Sequence, residues 1–113
     1  MAITTKRRRK IEVDGRAFVW WVAPDDDSAD LLLHICSTDK QLLLCYIVDQ
    51  PDESRHVCVL GRELPPLTDA GESWIRLRTP RWDDRIVTPK LVRTIILWAL
   101  DPFKEVTRVG WTG

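Results

Sequence analysis

Residues Lys6–Trp21 read KRRRKIEVDGRAFVWW. The centre of this stretch is Asp14-Gly15, a dipeptide that readily supplies the two positive backbone φ angles of a tight primed turn. A two-residue turn there sets Val13 opposite Arg16, Ile11 opposite Phe18, Arg9 opposite Trp20 and Arg8 opposite Trp21. Strand alternation then sends Ile11, Val13, Phe18, Trp20 and Val22 to one side. Arg8, Lys10, Glu12, Ala17, Val19 and Trp21 go to the other. The first set is fit for a core. The second is a mixed face, with Arg8 set to lie against the Trp21 ring.

The same two-faced pattern continues downstream. LLLHICS (31–37) and LLLCYIV (42–48) form a second hairpin across TDKQ, and their nearly unbroken apolar character suits central strands. Placing Ser37 opposite Leu42 sets His34 opposite Cys45. HVCVL (56–60) reads as a further core strand. SWIRLRT (73–79) alternates, with Trp74, Arg76 and Arg78 on one face and Ile75 and Leu77 on the other. KEVTRV (104–109) has the composition of a short last strand. Between these segments lie PDDDSAD (24–30), DQPDESR (49–55) and GRELPPLTDAGE (61–72), rich in the aspartates, prolines and glycines that break regular structure.

One helix is expected, in TPKLVRTIILWALD (88–101). Thr88 suits the N-cap and Pro89 the first turn. Leu91, Val92, Ile95, Ile96, Ala99 and Trp98 make an apolar stripe, and Pro102 stops it. The expected fold is therefore α+β: a mainly antiparallel five- or six-stranded sheet with one C-terminal helix packed on one face. The 113 residues suffice for a single domain spanning 1–113, with residues 1–7 as a flexible basic arm.

Charge narrows the functional classes. Lys+Arg and Asp+Glu both number 17, for a formal net charge of zero, where a general nucleic-acid binder is strongly basic. The charges are nonetheless segregated: residues 1–24 are basic, residues 25–53 acidic and the remainder mildly basic. Such a layout steers partners or ties the fold to itself. The most apolar window, LVRTIILWAL (91–100), is too short to cross a bilayer. Three cysteines without a leader-like N-terminus point to a reducing cytoplasm rather than a disulfide framework.

Four groups of residues are candidates for chemistry. The basic run with Trp20 and Trp21 could serve single-stranded nucleic acid, although the hairpin register spends Trp20 on the core and Trp21 on Arg8. His34, Cys36, Cys45, His56 and Cys58 carry His-x-Cys twice, with both members on one strand face. They could furnish a zinc site or a Cys–His pair, against the commoner role of cysteine as a small buried hydrophobe. RTPRWDDR (78–85) could hold an anion or a peptide carboxylate, or be a loop tied by its own ion pairs, with Asp83 or Asp84 near the helix N-terminus. Finally, six tryptophans are many for this length. Trp20, Trp74 and Trp98 take core-like positions; Trp21, Trp82 and Trp111 do not, and tryptophan is enriched at protein interfaces.

The opening VDGRAFVW and the closing TPKLVRTIILWAL resemble a family of small uncharacterised bacterial proteins with a Val-Asp-Gly-Arg-x-aromatic-x-Trp hairpin and a C-terminal helix. Val13, Asp14, Gly15, Arg16, Phe18 and Trp20 match the hairpin. Thr88, Pro89, Val92, Ile96 and Ala99 match the helix. The resemblance implies no catalytic residues and no cofactor. The function expected is non-catalytic binding to a protein partner or a second copy, through Arg8, Trp21, Arg76, Arg78, Trp82 and Trp111. Membrane insertion and nucleic-acid binding are disfavoured.

Overall fold

In the computed structural model, residues 8–24, 30–51, 55–61, 74–104, 107 and 109 are described. Six strands run in chain order: β1 (Arg9–Val13), β2 (Arg16–Pro24), β3 (Leu31–Ser37), β4 (Leu42–Ile47), β5 (His56–Gly61) and β6 (Ile75–Arg78), followed by helix α1 (Pro89–Leu100). They form one antiparallel sheet in the order β1-β2-β3-β4-β5-β6, each strand beside its sequence neighbour. An antiparallel meander of this order needs no crossover connection.

The first hairpin sets the pattern. Asp14 and Gly15 have φ of 52° and 79°, and Val13 pairs with Arg16, Ile11 with Phe18 and Arg9 with Trp20, as the sequence predicts. At the β3–β4 turn the Ser37 hydroxyl accepts from the backbone N–H of Gln41 and Leu42 at 3.1 and 3.0 Å, and donates to Asp39 at 2.6 Å. That knot holds His34 opposite Cys45.

Alternation carries one side chain in two towards α1. Val13, Phe18, Leu33, Ile35, Leu42, Leu44, Tyr46, Val57, Val59 and Leu77 are buried there against Leu91, Val92, Ile95, Ile96 and Ala99 of the helix. The Thr88 hydroxyl caps α1 by accepting from Leu91 N at 3.2 Å. At the other end, Lys104 Nζ donates to the carbonyls of Ala99 and Asp101 at 2.8 and 3.1 Å, satisfying acceptors that a helix end leaves over. The outer edge of β6 is paired as well: Arg78 N donates to Thr107 O and Val109 N to Arg76 O, both at 2.9 Å. Of the expected strand 104–109, only Lys104, Thr107 and Val109 are described, and they are not part of a strand.

The connection from β6 to α1 is anchored through a buried polar network. Asp84 Oδ2 accepts from the Tyr46 hydroxyl at 2.5 Å, from Arg55 Nη1 at 2.9 Å and from Asp49 N at 3.0 Å. The Arg55 and Asp84 side chains are only 6% and 4% exposed. Gln50 completes the cluster. Its amide nitrogen donates to Ile47 O and His56 O, its amide oxygen accepts from His56 N, and its backbone carbonyl accepts from Arg55 Nη2 at 3.2 Å. The expectation that Asp83 or Asp84 would sit at the helix N-terminus is corrected for Asp84, which turns inward because a buried guanidinium and phenol await it. Asp83 stays outside, paired with Arg85 at 3.1 Å.

Two further expectations are revised. Trp74 is 42% exposed, because it shares the parity of Arg76 rather than that of Leu77. Trp82 is half-buried and packs edge-on between Tyr46 and Trp98, with ring centroids 5.5 and 5.6 Å away. The arm 1–7, most of the acidic segment 25–30, Asp52 and Glu53, the 62–73 connection and Trp111 lie outside the described residues.

Removing one member of a buried, hydrogen-bonded ion pair strands the other, at a cost of about 3–5 kcal/mol. Asp84→Ala should therefore lower the unfolding free energy by about that amount in a urea titration, whereas Asp83→Ala leaves the midpoint unchanged. Tyr46 is the chain's one tyrosine. Burial, reinforced by its bond to Asp84, pushes its ionisation well above the ordinary phenol range. A raised pKa stabilises the fold below the unfolded value of about 10 and loses that contribution as pH rises beyond it. Tyrosinate absorbance should consequently appear only together with loss of fold at alkaline pH.

Candidate functional site

A sheet with one covering helix has a second face. Here the registers of four strand pairs stack into one continuous row across it. Trp21 pairs with His34, His34 with Cys45, Cys45 with Cys58, and Cys58 with Arg76. Arg8, just before β1, closes the row at the other end, its guanidinium carbon 4.4 Å from the Trp21 ring centroid. The order is therefore cation, indole, imidazole, thiol, thiol, cation. The adjoining row holds Val19, Cys36, Leu43 and Leu60, all half-buried. Leu32 and Ile47 lie paired on the far side, also half-buried.

The Trp21 end is packed by its own neighbours. The His34 imidazole stacks on the indole with centroids 5.0 Å apart and planes 16° from parallel. Arg8 and His34 approach from the two strands that flank β2, so both ring faces of Trp21 are occupied. The indole N–H is enclosed and has no acceptor among the described residues. Burial lowers the His34 pKa from its ordinary value, and the Arg8 charge lowers it further. The ring in the stack is therefore neutral near pH 7.

At the other end, Arg76 Nη2 lies 3.1 Å from His56 Nε2, which accepts from it. Arg76 also bonds the Cys58 thiol. Burial pushes that thiol up, and Arg76 offsets part of the rise. The Cys36 thiol is likewise raised, chiefly by burial, and donates to Ser37 O at 3.2 Å. None of the three cysteines is in a disulfide.

The residues singled out from the sequence thus fall into two places. Arg8, Trp21, Arg76 and Arg78 share the helix-free face, with Arg8 and Trp21 in contact and the two β6 arginines at the far rim. His34, Cys36, Cys45, His56 and Cys58 share that face too. They are spread along it, however, and among the described residues no three His, Cys, Asp or Glu side chains form a group that could hold a metal ion. A flat sheet spaces neighbouring strands about 4.8 Å apart, so a row of three spans more than a tetrahedral zinc site allows. Trp82 belongs to the opposite side of the sheet. It borders an open cleft of about 690 Å³ together with Asp49, Pro51, Arg81, Asp83 and Arg85. That rim mixes both charges: Arg85 pairs with Asp83 at the surface, while the loop is anchored by Asp84 on Arg55 and Tyr46 rather than by its own ion pairs.

The partnership of Arg55, Asp84, Tyr46 and Gln50 is not visible in the sequence. A signal existed for two of them. Arg55 has the core-facing parity of Val57 and Val59, and Tyr46 is a phenol on an otherwise apolar face, so each needs a buried partner. Nothing local distinguishes Asp84 from Asp83.

Because Arg8 contributes to the low His34 pKa, Arg8→Ala should move the His34 midpoint upward in an NMR titration, while burial keeps it below the ordinary value of about 6.5. The depressed pKa makes the stack's contribution complete above that value, and it is lost as pH falls through the folded midpoint. No movement of the midpoint in the variant would show that Arg8 does not act on the ring. Compared with protein-family models, curated proteins and solved structures, the chain matches none.

Proposed function

We propose that the protein is a non-catalytic binding module and that the helix-free face of its sheet is the docking surface for a protein partner. The observation that carries this is the half-buried apolar side chains of that face, Val19, Leu43 and Leu60 on one side of the neutral Trp21–His34–Cys45–Cys58 row and Leu32 and Ile47 on the other, set between cationic rims. Contiguous apolar surface rimmed by polar groups marks interaction sites in soluble proteins.

The rims favour a particular partner. Arg8 and Lys10 line the β1 side, tempered by Glu12, and Arg76 and Arg78 line the β6 side. Two copies meeting face to face would bring cationic rims together, so a different protein with an acidic border and an apolar centre is the better complement. Burial of the apolar side chains supplies affinity and the rims supply orientation. Single-stranded nucleic acid is less well supported, since stacking on Trp21 needs a ring face that Arg8 and His34 already occupy. The three cysteines, none of them in a disulfide, accord with a reducing compartment such as the cytoplasm. Among the described residues no helix is long and apolar enough to cross a membrane.

Leu43→Asp places a carboxylate among these apolar side chains, and Arg93→Glu alters only the exposed side of α1. Proteins captured by the wild-type chain should be lost with Leu43→Asp and kept with Arg93→Glu, both variants showing wild-type circular dichroism. Capture that survives Leu43→Asp would refute the assignment of this face. A wild-type mass of twice the monomer, falling to the monomer in Leu43→Asp, would replace the foreign partner with a second copy.

A further inference from the structure

At the centre of the helix-free face two cysteines stand directly opposite each other: Cys45 of β4 is the register partner of Cys58 of β5. Directly opposed residues of an antiparallel pair have their Cα atoms about 4.5–5.5 Å apart and their Cβ atoms at a similar spacing. A disulfide spans Cα separations of about 4.4–6.8 Å but wants the Cβ atoms at about 3.5–4.5 Å. The Cα spacing is thus already within reach, and closing the bond requires a local twist of β4 against β5 that draws the Cβ atoms together. Both residues are half-buried rather than sealed. Cys36 differs: it faces Val19 on one side and Leu43 on the other, and so is only diagonal to Cys45.

We infer that Cys45 and Cys58 form a paired-thiol modification site that is oxidised to a cross-strand disulfide by a low-molecular-weight disulfide of the glutathione type. In the first step the thiolate of one cysteine attacks a sulfur of the reagent. A protein–reagent S–S bond forms, the reagent's own S–S bond breaks, and one reagent thiol leaves. In the second step the facing thiolate attacks the protein sulfur of that mixed disulfide and expels the second reagent thiol. Overall, two protein thiols are oxidised to one disulfide and one reagent disulfide is reduced to two thiols, which carry away both protons. Arg76, bonded to Cys58, stabilises negative charge on that sulfur in either step. Because the Cβ atoms must be drawn together, the product is strained, and strained cross-strand bonds are readily reduced again. The site does not depend on the binding role proposed for the face, since its formation is read without any partner.

The 113-residue chain, incubated with oxidised glutathione near pH 8, should lose about 2 Da by intact mass, and subsequent alkylation should leave Cys45 and Cys58 unlabelled. Peptide mapping should join Cys45 to Cys58, and dithiothreitol should restore both thiols. Cys36→Ser should retain the internal bond. Cys45→Ser and Cys58→Ser should instead accumulate a glutathione adduct on the remaining member of the pair. Persistent adducts without an internal bond in the wild type, a bond involving Cys36, or only intermolecular dimers would overturn the inference.

Discussion

A single helix of twelve residues cannot cover both faces of a six-stranded sheet. At about 1.5 Å per residue the helix is some 18 Å long, while six strands at about 4.8 Å spread over roughly 25 Å. Strand alternation makes the division strict. The residues that turn towards α1 supply the sheet's part of the core, and their chain neighbours turn the other way. The apolar content of β3 and β4 on both parities therefore places Leu33, Ile35, Leu42 and Leu44 in the core and leaves Leu32 and Leu43 on the opposite face. The apolar side chains proposed as a docking surface are a consequence of that division. So is the row from Arg8 to Arg76, which no single segment of sequence contains.

What was legible in the sequence was what local chemistry fixes. Asp14-Gly15 can form the tight turn by itself, so the register of the first hairpin, and with it the Arg8–Trp21 contact, followed from sixteen residues. The helix announced its own ends in Thr88 and Pro102. His34 opposite Cys45 required only the length of the intervening turn. The network around Asp84 was hidden for the opposite reason. It joins positions 38, 35 and 29 residues apart, to Tyr46, Asp49 and Arg55 respectively, and two adjacent aspartates compete for one inward direction. Trp82 was misjudged with it, because its burial depends on where that loop is pinned. Trp74 shows the reverse case: its parity with Arg76 already gave the exposed face, and its apolar character alone suggested otherwise.

The two sides of the sheet differ in how they use polar groups. On the helix side, Arg55, Tyr46, Asp84 and Gln50 satisfy one another, and their role is to hold the 79–88 connection against the sheet. On the open side the charged groups stand at the rims and the centre is apolar or weakly polar. His34 is kept neutral by burial and by Arg8, and the Cys36 and Cys58 thiols are kept protonated by burial. A surface with neutral groups in the middle and cations at its borders loses little by being desolvated at its centre, which is what protein association demands.

The central claim is that the face opposite α1 is accessible in the isolated chain. Footprinting the 113-residue chain with a photogenerated carbene, followed by peptide sequencing, compares adjacent residues of opposite parity under identical conditions. The structure predicts strong labelling at Leu32, Leu43 and Leu60 and protection at Leu33, Leu44 and Val59. Equal protection of both sets would mean that the second face is already covered within the chain, and would contradict the account.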